Sequence, residues 1–581
     1  MKLTLFWLCI AVFAVGLVHA DVGPKTLLFS PITPEYLEDS AAEWADAGFG
    51  GFLLSRIMHN WDSDVWAVDE DPKTRGEADA NLQRFRKCCD ALRAVGIEDN
   101  FIKVAFYSNL PDWFDNDGWR QLTENFRNAA EFARLAGLRG VAIDIEYISE
   151  IYDLDYEKYK ENQYDIKALR AKALERGEQM IAPMFEVYPD MVLLTLPEGV
   201  TYYGPLATDL TVGFIRAAAK RDAPGGVHVL TEGTYQTTGQ NALLSHIATV
   251  AGKMEDALSP DLRDYWKRRC SIVIGCWPLG YYRDLFDENG NQIGYGGKRE
   301  KFGDEVIGSY ADKSCNYPPS EFRTQYSFAT SFARRYNWIY GHGATWWQFN
   351  EEEAKRYDAS KNEQLPVDEN LDVYKQIVKS KPPVTDPFLL DLAKQFLTTN
   401  QLEIAGHFGL IKDWLVLGPF ENKEDPPERH TALRQKWIDT ALTRFPMIMK
   451  TKDAKEMSWR LCHTDSRSGI VDGMPLFDPN NDISYFALCY VTSPDQRAAQ
   501  LRVGSNDGAA VWVNGEKIYE VNCMRSVALD SDIIDIVLPA GTCPILIQVC
   551  QDGGITGFCA RITNDNGQPL DDLTFAVGGK Q

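Results

Sequence analysis

The 581 residues exceed one ordinary domain, so length alone predicts a large domain accompanied by one or two smaller modules. The formal net charge of −23 gives an acidic surface that repels nucleic acid and anionic lipid, which argues against both as partners. Histidine is scarce and no Cys-x-x-Cys pair occurs, so no zinc site or other catalytic metal site is expected.

The N-terminal segment, residues 1–20, has the pattern of a secretory signal peptide. Lys2 supplies a short basic region, an almost unbroken apolar run extends from Leu3 to Val18, and cleavage is expected before Asp21. An uncleaved membrane anchor is the alternative. Because no later stretch reaches the roughly 18 apolar residues that span a bilayer, the mature chain is expected to be secreted, periplasmic or extracellular, without membrane contact.

Between residues 26 and 350, short apolar runs alternate eight times with amphipathic helical runs. Apolar residues without alternation are typical of parallel strands buried on both faces. Eight such units predict an α/β fold, a (β/α)8 TIM barrel over residues 21–360. An open doubly wound sheet is the rival, although no Gly-x-Gly-x-x-Gly follows the first strand. The predicted strands are Thr26–Ser30, Gly51–Ser55, Ile102–Ser108, Gly140–Glu146, Met191–Leu196, Val227–Glu232, Ser271–Trp277 and Ala344–Phe349.

The fourth predicted strand ends in two acidic residues. A two-residue period places Ala142, Asp144 and Glu146 on one face, which is expected to point into the barrel with Glu146 at the rim. Two carboxylates this close in an apolar strand are costly to bury unless they are used or neutralised, and their repulsion should raise one pKa. This favours a general acid with its partner; the structural alternative is a buried salt bridge to a barrel Arg or Lys.

The sequence around this pair resembles the Asp-x-Glu signature on the fourth strand of chitinase-like glycoside hydrolases, and Gly343-Ala-Thr-Trp-Trp347 resembles their eighth-strand Gly-x-x-x-Trp. The resemblance implies that Glu146 is the general acid and that Asp144 orients the substrate's 2-acetamido group as nucleophile. It also implies a sugar stacked on Trp346 or Trp347, and a role for Tyr235 after the sixth strand.

The longer family pattern Asp-x-x-Asp-x-Asp-x-Glu is absent, because Arg139 and Ala142 stand at its first two acidic positions. This departure leaves the substrate open.

Glu232, at the end of the sixth predicted strand, offers a different partner. In this alternative Glu146 or Asp144 is the acid/base and Glu232 is the nucleophile. Carboxyl separations of about 5–5.5 Å would mean retention and about 6.5–9.5 Å inversion. A loop or N-cap carboxylate is the structural alternative for Glu232. Further candidate substrate-binding residues at strand ends are His59, Tyr107, Trp277, Gln348 and Asn350, whereas Glu351–Glu353 are expected to begin a helix.

After residue 360 the pattern changes. A linker with short helices is predicted over residues 361–411, followed by an all-β jelly-roll sandwich over residues 412–581. Asn514-Gly515 between two apolar runs is a strong hairpin signal. Eleven cysteines remain after Cys9 is removed with the signal. Most are expected to be ordinary core residues, and an exported chain permits one or two bridges without requiring them.

The segment Gly504–Gly515 resembles the Ser-x-Asp-Gly-x-x-Val-Trp-Val-Asn-Gly pattern of galactose-binding-like and PA14-like jelly rolls. The resemblance implies glycan or structural Ca²⁺ binding through Asn506 and Asp507; a simple turn in a structural domain is the alternative. No cofactor is otherwise required.

Together these patterns predict a secreted glycoside hydrolase that cleaves a polysaccharide or complex glycan by carboxylate acid/base catalysis. A non-catalytic glycan-binding or surface protein on a degenerate barrel is the second hypothesis, because the chitinase-type signature is incomplete.

Overall fold

The structure is a computed structural model in which an α/β barrel is followed by a β-sandwich. The described residues are 23–30, 32–54, 75–105, 111–146, 165–200, 204–235, 237–279, 284–286, 292–295, 300–302, 305–307, 316–341, 346–358, 367–421, 448–450, 456–477, 482–523, 525–551 and 556–578.

Parallel strands close into a ring in the N-terminal part. Neighbours follow chain order from β1 to β7, and β13 pairs with β1 on one side and with β8 on the other. Only Ile274 separates β7 from β8, so the two form one interrupted strand and complete an eight-membered barrel. The predicted (β/α)8 fold is therefore confirmed. The strands are β1 Lys25–Phe29, β2 Phe49–Leu54, β3 Phe101–Ala105, β4 Gly140–Asp144, β5 Val192–Leu196, β6 Val227–Leu230, β7 Ser271–Val273, β8 Gly275–Cys276 and β13 Tyr336–Tyr340.

The prediction of the eighth strand at Ala344–Phe349 is wrong, because the strand that closes the barrel is Tyr336–Tyr340. Tyr336 and Trp338 enter the barrel interior, while Ile339 faces the helices. The amphipathic pattern of the preceding helix runs on into Tyr336, which concealed the strand in the sequence.

The two faces of each barrel strand contribute to different cores. Ala142 belongs to the cluster inside the barrel, whereas Val141, Ile143 and Ile145 pack in the layer between strands and helices. This confirms the predicted facing of the fourth strand. Asp144, two residues after Ala142, therefore lies on the interior face.

Helices surround the barrel and also follow it in sequence. Gly48, Gly96 and Gly137 follow the ends of three helices and have φ of 87°, 88° and 78°, a left-handed conformation that favours glycine. Within the described residues no helix is long and apolar enough to cross a membrane. The helices are α1 Pro34–Asp46, α2 Arg75–Ala94, α3 Asn116–Ala136, α4 Ile166–Val187, α5 Pro205–Ala219, α6 Gln240–Ala257, α7 Pro260–Arg269, α8 Pro319–Ser331, α9 Glu351–Arg356, α10 Leu371–Ser380 and α11 Pro387–Thr399.

The C-terminal part consists of two antiparallel sheets facing each other across one apolar core. One sheet has the order β17-β14-β19-β24-β21-β22 with β26 beside β19, and the other has the order β18-β25-β20-β23. Asn514 and Gly515 turn between β21 and β22 with φ of 51° and 86°, which confirms the predicted hairpin. The strands are β14 Asp413–Glu421, β17 Arg460–His463, β18 Val471–Asp472, β19 Ile483–Ser493, β20 Arg497–Asn506, β21 Gly508–Val513, β22 Glu516–Val521, β23 Asp532–Leu538, β24 Gly541–Gln551, β25 Gly557–Thr563 and β26 Thr574–Ala576.

Three small two-stranded sheets complete the described secondary structure. They pair β9 with β10, β11 with β12, and β15 with β16, all antiparallel. Their strands are β9 Asp284–Phe286, β10 Gln292–Tyr295, β11 Glu300–Phe302, β12 Glu305–Ile307, β15 Ile448–Lys450 and β16 Glu456–Ser458.

The ten cysteines in the described ranges are all free thiols, and nine of them are buried. Burial raises the pKa of Cys270 to about 12 and that of Cys559 to about 12. These thiols therefore serve as apolar core side chains, and the predicted core role of most cysteines is confirmed for this part of the chain.

One buried carboxylate neutralises two arginines in the sandwich. The side chain of Arg561 is 0% exposed, and its Nε donates to Asp530 at 2.7 Å. Arg502 donates to the other oxygen of Asp530 at 3.0 Å. Removing this carboxylate would leave two guanidinium groups without their anion in a largely dry site.

We expect D530A to destabilise the sandwich by about 3–5 kcal/mol, the usual cost of breaking a buried ion pair. D572A removes a partner of the more exposed Arg497 and should cost less than about 1 kcal/mol. Denaturant unfolding of both variants measures the difference. Equal losses in the two variants would contradict the structural importance of the Asp530 pair.

Candidate active site

A buried ion pair occupies the end of β4. Lys103 Nζ lies 2.7 Å from Asp144 Oδ2, and the two side chains are 1% and 4% exposed. The other oxygen, Oδ1, accepts the backbone N–H of Glu146 at 2.9 Å. The Lys103 ammonium also lies 5.1 Å from the centre of the Phe29 ring. Both oxygens of Asp144 are therefore bound, one by the Lys103 ammonium and the other by a backbone N–H.

Glu146 lies two residues beyond the end of β4, whereas the sequence predicted that the strand would include it. It is half-buried, in contrast to Asp144. In TIM-barrel enzymes, the residues that follow the strands form the face at which substrate binds. Glu146 belongs to such a segment. Of the two acidic residues on this segment, Glu146 is the accessible one.

Glu232 follows β6 and meets the same cluster of acids. Burial is the largest cause that raises the pKa of Glu232 well above its usual value, followed by the charges of Glu146, Asp144 and Glu198, while the Lys103 ammonium opposes the increase. Glu232 keeps partial solvent exposure, which moderates the effect. The carboxyl is thus biased toward the protonated form, the state that a general acid requires.

Glu198, which the sequence did not single out, follows β5 and is 0% exposed. Its Oε2 accepts the backbone N–H of Glu232 at 3.0 Å. Its Oε1 lies 3.2 Å from Nε2 of His246 on α6, and the imidazole N–H donates to it. Glu198 therefore joins the segment that carries Glu232 to a surrounding helix.

Aromatic rings form one side of the barrel end. The Tyr235 ring stacks on Tyr340 at 5.8 Å and meets Trp277 edge-on at 5.5 Å. Trp277 and Tyr340 meet at 4.6 Å, and Tyr340 remains partly exposed. The charge of Glu232 contributes to a raised pKa of the Tyr235 phenol, after burial as the main cause, so these rings adjoin the acids. Of the predicted site residues, the structure brings together Asp144, Glu146, Glu232, Tyr235 and Trp277.

Trp346 and Trp347 do not join this group, in contrast to the role implied by the chitinase resemblance. They are 0% and 2% exposed and pack in the layer between strands and helices. Trp346 meets Phe49 edge-on, and Trp347 lies 6.1 Å from Tyr36. Because the eighth strand precedes them, these tryptophans pack outside the barrel and cannot stack a sugar at its interior rim.

Gln348 is exposed, and Asn350 caps helix α9 through its side chain. This reciprocal cap with Glu353 confirms the predicted helix start at Glu351–Glu353. His59 and Tyr107 lie outside the described residues.

Lys103, Glu198, His246 and Tyr340 were missed in the sequence. Lys103 carried a usable signal, since a lysine inside an apolar strand next to an acid-bearing strand indicates a buried pair; the register places it beside Ala142. Glu198 and His246 carried no local pattern, because each is recognised only by its distant partner.

The calcium binding that the PA14-like resemblance implies at Asn506 and Asp507 stays a prediction. Asn506 Oδ1 is buried without a hydrogen-bond partner among the described residues, whereas the surroundings of Asp507 are already hydrogen-bonded. Asp507 Oδ1 already accepts the backbone N–H of Arg525 at 2.9 Å, and the Arg525 guanidinium donates to Ser505 and Asp532. Ca²⁺ takes about six to eight oxygen ligands. No group of three or more His, Cys, Asp or Glu residues that could hold a metal ion occurs in the described part of the chain.

No known protein family and no curated protein matches the sequence. Similar solved structures include a glucosidase from Croceicoccus marinus, 9% identical over 91% of this chain and 95% of that protein, with a TM-score of 0.30. A GH27 β-L-arabinopyranosidase from Geobacillus stearothermophilus is 10% identical over 91% of this chain and 98% of that protein, with a TM-score of 0.31.

The PA14 domain of the antifreeze protein MpAFP is 19% identical over 17% of this chain, with a TM-score of 0.15. This chain spans 53% of that structure's length. At these identities and TM-scores the similarities carry no argument about activity.

The raised pKa of Glu232 predicts an unusual dependence of stability on pH. When a carboxyl binds its proton more tightly in the folded protein than in the unfolded chain, the free energy of unfolding falls as pH rises from the unfolded pKa through the folded pKa. The amide of E232Q has no such proton to lose. The free energy of unfolding of E232Q relative to that of the wild type should therefore increase above about pH 4.3. Thermal unfolding of both proteins between about pH 4 and about pH 9 measures this.

E403Q, at an exposed position, is the matched control and should show a constant difference from wild type. The same constant difference in E232Q would contradict the raised pKa.

Proposed function

We propose that this protein is a glycoside hydrolase whose general acid is Glu232. The observation that carries the proposal is a carboxyl just after β6 whose pKa is raised by burial and by three neighbouring carboxylates, one of which is the accessible Glu146 after β4. Glycosidases cleave the glycosidic bond with two carboxyl groups, one of which is protonated and the other ionised.

The proposed roles reverse those expected from the sequence. Glu232 donates its proton to the glycosidic oxygen, so that the bond to the anomeric carbon breaks and the leaving sugar departs as an alcohol. Glu146 acts from the opposite side of the ring. Retention of configuration would mean that its oxygen attacks the anomeric carbon, and inversion that it deprotonates an attacking water.

Asp144 has a supporting role in this scheme. It is buried and paired with Lys103, and its second oxygen accepts the Glu146 N–H. We infer that it fixes the backbone of Glu146 instead of holding an acetamido group. The scheme therefore needs no N-acetylated sugar.

The aromatic side of the site supports a carbohydrate substrate. Tyr340 exposes part of its ring beside Trp277 and Tyr235, and the apolar faces of pyranose rings pack on such surfaces while their hydroxyls meet carboxylates. In this proposal the sandwich is an accessory domain of the enzyme.

We expect E232Q and E146Q each to lower kcat/KM by about 10²–10⁴-fold, the usual contribution of a positioned acid or base. Release of reducing ends from a panel of polysaccharides, with E403Q as control, measures the loss. A dinitrophenyl glycoside, whose leaving group needs no proton, should restore the first release of dinitrophenolate in E232Q and leave E146Q inactive.

Unchanged hydrolysis in either variant would overturn these roles. Tight glycan binding by the wild type without any release of reducing ends would instead favour the binding protein on a degenerate barrel.

The proposal includes export of the chain, based on the basic Lys2 and the apolar run that follows it. When the full chain is expressed in a bacterial host, N-terminal sequencing of the exported protein should begin at Asp21. A recovered chain that still begins with Met1 would contradict cleavage at this site.

A further inference from the structure

A chain of hydrogen bonds leads from the backbone of Glu232 through Glu198 to His246, outside the barrel. The proposed reaction does not use Glu198 or His246. Glu198 accepts the Glu232 N–H with one oxygen and the His246 imidazole N–H with the other, at 3.0 Å and 3.2 Å. Glu198 is fully buried and His246 is 7% exposed. Glu198 thus binds the backbone segment that carries Glu232, and His246 binds Glu198.

The helix that carries His246 also contacts the sandwich. On α6, Thr249 donates to Ser468 Oγ at 2.8 Å, and Lys253 lies 3.7 Å from Asp472. Further contacts join Asn241 to Asp530 and Glu255 to Arg467. Helix α6 is therefore held on one side by the sandwich while it reaches Glu198 on the other.

We propose that Glu198 and His246 are positioning residues for Glu232, and that the sandwich keeps His246 in place through α6. The inference deepens the proposed function, since it rests on Glu232 as the acid. It assigns the C-terminal domain a part in the geometry of the site, beyond any binding of glycan.

The physical argument has two parts. A buried carboxylate must be satisfied by donors, and the N–H groups of Glu232 and His246 supply them, which fixes the three groups relative to each other. A carboxylate beside a second carboxyl also favours the proton on that second group. Glu146, Asp144 and Glu198 act on Glu232 in this way, whereas the Lys103 ammonium opposes them. The Tyr235 phenol lies in the same cluster, since the charge of Glu232 contributes to its raised pKa.

The charge effect is tested by E198Q, which keeps an oxygen acceptor for the Glu232 N–H while removing the charge. Carboxyl ¹³C NMR of the full chain, with the Glu232 signal assigned by its loss in E232Q, follows the titration without substrate. We expect the Glu232 midpoint to move to lower pH. D99N, a buried carboxylate before β3 at the opposite end of the barrel, is the charge-matched control.

An unchanged midpoint in E198Q, or an equal shift in D99N, would overturn the inference. Because this titration needs no substrate, its failure is distinguishable from a failure of the hydrolase assignment, which E232Q and E146Q test separately.

The positioning effect is tested by H246A, which also serves if E198Q does not fold. Hydrogen exchange of the peptide over residues 231–235 should accelerate by about fivefold, as expected for a weakened hydrogen bond. H246Q retains an N–H donor and should restore slow exchange. H228N, at a buried histidine at the start of β6, is the matched control and should leave this peptide unchanged.

The part played by the sandwich is tested by R467A, with R497A on the same domain as its control. R467A should accelerate exchange both in α6 and in residues 231–235. Acceleration confined to α6, or equal effects in R497A, would overturn the role of the sandwich.

Discussion

The buried ion pair between Lys103 and Asp144 sets the charge balance at the end of the barrel. Four carboxyl groups of the described residues converge there, and the Lys103 ammonium pairs with Asp144 and opposes the raised pKa of Glu232. In a site of low dielectric one ammonium neutralises one carboxylate. The other three carboxyl groups are stabilised in other ways. Glu146 is partly exposed to solvent, Glu198 accepts N–H donors, and the raised pKa of Glu232 favours its protonated form.

Barrel topology is what allows so many charges to meet. Strands β3 to β6 are consecutive neighbours, and each contributes at least one member of the cluster from its interior face or from the residues after it, with β4 contributing both Asp144 and Glu146. The aromatic side comes from Tyr235 after β6, Trp277 after β8 and Tyr340 of β13. Acids and rings therefore occupy adjoining parts of one opening, an arrangement that suits the proposed substrate with its apolar faces and polar edges.

Sequence patterns over a few residues correctly predicted the features that depend on neighbouring residues alone, such as strand facing and turns. A two-residue period located Asp144 correctly on the interior face, and Asn514 marked a hairpin that the backbone adopts. The eighth strand was misplaced because aromatic residues suit both a helix end and a strand. Glu198 was not predicted because its partner His246 lies 48 residues away in sequence, and no periodicity encodes a contact over that separation. Assigning proton affinities likewise required the spatial neighbours of Glu232.

Burial makes two core thiols poor reactants in the folded protein. Cys270 and Cys559 have pKa values of about 12, so each is almost entirely the neutral thiol at physiological pH, whereas thiol–disulfide exchange requires the thiolate. As long as the fold is intact, disulfide reagents in solution should therefore leave these two side chains unmodified.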